Sequence, residues 1–156
     1  MSLDAPLSLS PGLPDPVRDA RFYDGVPGRR LFAFVVDTAA IVALTLLATL
    51  VFGVLSLGVG LLLFAPIGVA VTFAYRAAAI AQWSATPGMA LVGIELRRAD
   101  GARFGPLEAV IHTALFMLAF FMAAPQILSI VMMAMGRPGR GLHDLVLGST
   151  AINRPA

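Results

Sequence analysis

The stretch Arg29-Arg30-Leu31-Phe32-Ala33-Phe34-Val35-Val36-Asp37 decides the fold class. Two arginines open a long apolar run, and a carboxylate stands inside that run. A charged side chain at the centre of a membrane helix costs roughly 2.5–3.5 kcal/mol on insertion scales, so such a group faces a partner or water. Asp37 and the arginine ahead of it are therefore the first candidates for a functional role. Moving outward, no Asp, Glu, Lys or Arg occurs in residues 38–75 or in residues 109–136. About 20 helical residues at ~1.5 Å each cross a hydrocarbon core. The first run thus holds two helices and the second at least one.

Composition agrees with a membrane protein. Of 156 residues, 58% are hydrophobic and 13% charged, with a mean hydropathy of +0.86; a soluble domain carries about 25% charged residues. This implies one membrane domain with no room for a soluble catalytic module. Cysteine is absent, which excludes disulfides and thiolate chemistry. Residues 1–28 lack the basic and apolar regions of a signal peptide, and their Pro, Ser, Asp and Gly content reads as a flexible cytoplasmic tail. Residues 154–156 form a short C-terminal tail.

The first helix is expected over residues 31–52, with Ala39 and Ala43 as a small-residue pair that lets another helix approach. Gly53, Ser56, Gly58 and Gly60 mark a tight, uncharged helical hairpin. The second helix is expected over residues 57–80, kinked at Pro66 because an interior proline removes a backbone hydrogen bond. In an antiparallel pair, Asp37 and Arg76 fall at similar depth, which makes Arg76 the candidate partner of Asp37; the alternative is that Arg76 snorkels to the headgroups. Arg30 lies two turns from Asp37, about 10 Å along the axis, and reads as an interfacial anchor.

Residues 89–98 have strand-like content and Asp100-Gly101 is a hairpin signal, which together predict a short cytoplasmic β-ribbon. Residues 145–152 could add a strand beside it. Arg29, Arg97, Arg98, Arg103, Arg137 and Arg140 are candidates for contact with lipid headgroups. The third apolar run, residues 107–135, carries Ala123-Ala124-Pro125-Gln126 in its middle, so it is either one kinked transmembrane helix or a hairpin of two half-helices. Basic residues collect on cytoplasmic loops. A returning hairpin puts every arginine cluster on one side and is the favoured reading. The expected architecture is an all-α membrane bundle of two full spans, this third element and the ribbon. It is expected in a bacterial inner membrane, multi-pass, with a cytoplasmic N-terminus.

The motifs resemble those of the RDD family of small bacterial membrane proteins, named for an arginine and two aspartates. Arg30-x-x-Ala33-x-x-x-Asp37 is similar to its opening motif. Thr86-Pro87-Gly88, Gly93-Ile94 and Gly101 are similar to its central segment, and His143-Asp144 with Gly148-x-Thr150 to its closing one. Order and spacing agree over residues 27–153, making residues 29–153 an RDD-like transmembrane domain. The chain departs at Met89, where the family usually has Lys, and at His112, where it often has Arg. The resemblance implies a helical inner-membrane domain; sodium–proton exchange has been proposed for some members.

His143-Asp144 is no metal-dependent phosphohydrolase pair, because such a site needs more His and Asp ligands than two histidines allow. Zinc spacing, a phosphate-binding glycine loop and a nucleophile elbow are missing as well, so neither enzyme activity, a metal nor a cofactor is expected. Asp144 is expected to hold an arginine such as Arg140 or backbone N–H groups after the glycine turn. His112 lies one turn inside the third run, as a structural hydrogen-bonding residue or as a proton relay with Asp37. Arg30, Asp37, Arg76, His112, His143 and Asp144 together form the candidate polar cluster, for ions or protons or for structure. Two functions compete: cation or proton-coupled transport by an oligomer, and a non-catalytic accessory subunit or assembly factor of a larger membrane complex. The partners expected are the lipid bilayer and either further copies or that complex, and no nucleic acid.

Overall fold

A computed structural model describes residues 12–136 and 138–155; Arg137, a headgroup candidate, lies outside the described residues. Helix α1 (Val26–Leu55) buries Arg30, Ala33, Asp37, Thr45, Thr49 and Gly53, whose spacing by threes, fours and one eight puts them on a single face. Leu31, Phe32, Val35, Leu46, Leu47 and Leu50 point outward. Polar and small residues inside with apolar ones outside is the reverse of a soluble helix and suits hydrocarbon surroundings. Ala39 and Ala43 are exposed, so the small residues at the helix contact are Thr45, Thr49 and Gly53 instead. The helix starts at Val26 rather than at residue 31, with Pro27 in its first turn, where a missing N–H costs nothing.

Gly58, at φ +98°, turns the chain into a 3-10 segment, Val59–Leu63, and then helix α2 (Phe64–Trp83). A Cβ on Gly60 would stand 2.7 Å from the Phe52 carbonyl, so glycine is what lets the hairpin close. Pro66 does not kink α2. It sits in the first turn, where backbone N–H groups have no partner inside the helix to lose.

Ser84 ends α2 and Thr86 caps helix α3 (Pro87–Leu91), its hydroxyl accepting from the Met89 N–H. The expected strand over residues 89–98 is therefore cut short, because a capping threonine followed by proline starts a helix. Strand β1 (Ile94–Arg97) pairs antiparallel with β2 (Thr150–Asn153), in the register Ile94↔Asn153. The C-terminal strand beside the central one is thus present. Of the Asp100-Gly101 hairpin, one bridge remains, Arg97↔Arg103.

The third apolar run is two half-helices, α4 (Pro106–Phe121) and α5 (Ala123–Met135), joined at Met122 and bent by 114°. In a continuous helix the Pro125 ring would clash with the Phe121 carbonyl, and Phe121 is where α4 stops. Helix α6 (Leu142–Leu147) then leads into β2. Val26, Ala33, Ile80, Met89, Ile94, Leu96 and Phe104 form a compact core between the sheet and the helices. Residues of the expected tail dock here too: the Asn153 side-chain amide donates to the carbonyls of Arg21 and Asp24 at 2.8 and 2.9 Å.

Two segments, Ala20–Leu55 and Val59–Trp83, are long and apolar enough to cross a membrane. Only 17% and 11% of their most apolar stretches are buried within the chain. Most of their surface is apolar and faces outward.

Candidate functional site

Asp37 sits on the inner face of α1, opposite the end of α2 and the start of α3. Its carboxylate accepts from the Tyr75 hydroxyl at 2.9 Å, the Gly88 N–H at 2.8 Å and the Thr86 hydroxyl. A Cβ on Gly88 would lie 2.4 Å from the Ala33 carbonyl oxygen and 2.9 Å from the Asp37 carboxylate. Glycine there lets α3 press its first turn onto Asp37. Three donated hydrogen bonds compensate much of the cost of burying this carboxyl group. The expected Asp37–Arg76 ion pair is absent among the described residues.

Asp144 is the second centre. It lies in the first turn of α6, fully buried, and accepts from the Gly141 N–H at 3.0 Å. Arg30 meets it at 2.7 Å and donates to the Gly139 carbonyl at 2.8 Å. Arg30 is thus a buried tie between α1 and α6, not an interfacial anchor, and it is an arginine held by Asp144, as expected of that carboxylate. The expected backbone bond after the glycine turn is present. Burial alone would raise the Asp144 carboxyl, but the Arg30 guanidinium reverses the sign and holds it well below the usual carboxylate range.

Two histidines complete this centre. His112 Nε2 lies 3.2 Å from Asp144 Oδ1, and the rings of His112 and His143 meet edge to face at 4.7 Å. Burial pushes the His143 imidazole down to about 3 despite the neighbouring Asp144 carboxylate, so it is neutral near pH 7. An ionised carboxylate only accepts, which makes His112 Nε2 the donor and leaves Nδ1 as a bare lone pair. Among the described residues, neither His112 Nδ1 nor His143 Nδ1 has a hydrogen-bond partner. Arg76 is buried as well, its guanidinium carbon 3.9 Å from the Phe116 ring centroid. Arg30, Asp37, Arg76, His112, His143 and Gln126 all border one cavity of about 220 Å³.

The ligand atoms of His112, His143 and Asp144 lie within 4.8 Å of one another, a spacing that could hold a metal ion. A cation would compete with Arg30 for the Asp144 carboxylate and add charge close to Arg76. The donor set therefore suits a metal poorly.

The arginines outside the cluster have partners within the chain. Buried Glu95 gathers Arg97, Arg103 and Arg154, and Arg98 bridges Glu108 and Asp100 at 2.7 and 3.1 Å. Arg29 donates to the Val92 carbonyl and the Asn153 side chain. Arg97, Arg98 and Arg103, expected to be available to anionic lipid, each reach a carboxylate of the chain, while the side chains of Arg98 and Arg103 stay 43% and 62% exposed. Arg140 is half-buried.

The model of the RDD family matches residues 25–148, spanning both aspartate centres. The chain belongs to the RDD family. No curated protein and no solved structure matches it. In this RDD protein Arg30 and Asp144, 114 positions apart, make one ion pair, while Asp37 has its own set of donors. Sequence reading missed Tyr75, Thr86 and Gly88 as the partners of Asp37, and Glu95 as the organiser of the basic loop. The Thr86-Pro87-Gly88 motif was visible; its capping role was the signal that a carboxylate could sit at that turn.

Proposed function

We propose that this RDD protein carries protons across the membrane, coupled to a solute or counter-ion, with His112 rather than Asp37 as the proton-accepting group. The observation that carries this reading is the buried, unpartnered Nδ1 of His112, a residue that lines the cavity and whose Nε2 bonds Asp144. A proton taken at Nδ1 makes an imidazolium whose Nε2–H already meets a carboxylate, a bond that favours the charged form against the opposing effects of burial and of Arg30 and Arg76. Asp37 is the weaker candidate, since three donors already engage its oxygens and Arg30 and Arg76 border the same cavity and repel a metal cation. In the occluded state burial disfavours protonation of the pair; access of water to the cavity would reverse that, giving one loading and one releasing state.

The two spans and the bent α4–α5 pair are too few to wall a pathway, so the reading requires an oligomer. The outward apolar faces of α1 and α2 are the surfaces available to further copies and to lipid. The same faces support the second reading, an accessory subunit packed into a larger complex. We place the protein in a bacterial inner membrane, multi-pass, with the sheet, the N-terminus and α6 on the cytoplasmic side and α4–α5 as a returning hairpin. In neither reading does it catalyse covalent chemistry or bind nucleic acid.

Proteoliposomes holding only this protein test the choice. Collapse of an imposed pH gradient faster than in empty vesicles is the expected result. A gradient as long-lived as in empty vesicles would sink transport by the isolated protein and favour the accessory role.

A further inference from the structure

Arg76 is a buried guanidinium with no anion in hydrogen-bond contact among the described residues; the favourable charge of Asp37 acts on it without touching it. Arg76 is 5% exposed, and among the described residues it makes no hydrogen bond or ion pair, only the contact with the Phe116 ring. The carboxylate on the same cavity, Asp37, is engaged by Tyr75, Thr86 and Gly88. An unpaired buried guanidinium at membrane depth is costly and calls for an oxyanion.

Arg76 also borders a second cavity, a groove of about 380 Å³ between α1, α2 and α4, lined by Ile41, Thr45, Gly68, Phe116 and Phe120 among others. The groove makes almost no polar demand on an occupant, since the Thr72 and Thr38 hydroxyls on it donate to their own helices, to the carbonyls of Gly68 and Phe34. From Phe64 to Arg76 it follows twelve residues of α2, about 18 Å. Arg76 itself stands seven residues before the end of α2, about 10 Å along the axis. An apolar channel thus runs along the span and ends at the Arg76 guanidinium near one membrane face.

We propose that this groove holds an anionic phospholipid, with an acyl chain along α2 and the phosphate on Arg76. The groove opens on faces that lipid covers, so acyl chains are its ambient solvent. A phosphate offers two oxygens matching the guanidinium fork, and these supply the charged acceptors within reach that Arg76 lacks. A zwitterionic lipid would bring its own cation to a site that already holds one.

Native mass spectrometry of the delipidated protein in mild detergent tests this, by titration with phosphatidylglycerol and with phosphatidylcholine of identical chains. Wild type is expected to bind phosphatidylglycerol at least tenfold more tightly. Arg76→Gln should lose that preference, while Arg18→Gln, altering an exposed arginine of the N-terminal segment, should keep it. Gly68→Leu, which fills the groove and leaves Arg76 intact, should weaken phosphatidylglycerol binding. Inorganic phosphate at millimolar concentration should not displace the lipid. Equal binding of the two lipids by wild type would overturn the proposal, as would a preference that survives in Arg76→Gln. Displacement by phosphate alone would make the site one for a free anion, not a lipid. Should Arg76→Gln fail to fold, the wild-type lipid ratio and Gly68→Leu still decide.

Discussion

Asp37 and Asp144 carry the same charge in different roles, and substitution separates them. Asp144 and Arg30 are a buried ion pair, in which removal of one partner leaves the other uncompensated at a cost of about 3–5 kcal/mol. Asp144→Asn and Arg30→Met should each lower the thermal unfolding midpoint in detergent markedly. The double variant Arg30→Met/Asp144→Asn should fall well short of the summed losses, and strict additivity would mean that the two do not interact. His143 gives the pH dependence its sign. Its folded value, about 3, lies below the ordinary 6.5, so below pH 6.5 the unfolded chain binds the extra proton. The stability His143 contributes is complete above that pH and is lost as pH falls toward 3, by up to ~1.4 kcal/mol per unit. The depressed Asp144 carboxyl acts in the same direction, but only below its own ordinary range. Wild type should therefore melt lower at pH 5 than at pH 7.5, and His143→Phe should show a shallower dependence. Equal slopes would deny His143 its buried neutral state.

At the scale of elements, the docking of α3 on α1 depends on Gly88. Gly88→Ala places a methyl group against the Ala33 carbonyl and the Asp37 carboxylate, so it should destabilise by more than ~2 kcal/mol. Pro66→Ala should be nearly neutral, since Pro66 removes no bond from α2; a large effect of that change would restore the kink. These two positions also separate what the sequence made legible from what it did not. The two spans, the turn at Gly53–Gly60, the break before Pro125 and the C-terminal strand all follow from local apolar runs and turn residues. Pro66 misled because residues 57–63 look helical by composition, whereas Gly58 and the 3-10 segment delay α2 until Phe64. The partner of Asp37 misled because depth along two helices fixes which residues are level but not which way they point. Arg76 is level with Asp37 and faces Phe116, while the donors to Asp37 come from Tyr75 and from the α3 cap beyond the span. Nothing local to Arg30 announces Asp144, and the family motif alone joined them.

At the scale of the whole molecule, a chain with two helices of membrane-spanning length, a bent helix pair and a small sheet closes around a mostly apolar cavity bordered by the charged cluster and leaves long apolar flanks facing outward. With no native cysteine, single cysteines at Ser56 and Asn153 should react from opposite sides of the membrane; reaction from the same side would break the returning-hairpin arrangement. Chemical crosslinking in the membrane should trap multiples of the 16.3 kDa chain, and a strictly monomeric protein that still moves protons would remove the need for an oligomer. Proton flux with His112 altered tests the central claim most directly. In proteoliposomes matched for folded protein, His112→Gln should abolish dissipation of an imposed pH gradient while Asp37→Asn, if it folds, retains part of it. Full flux in His112→Gln would contradict the assignment of His112 as the proton carrier.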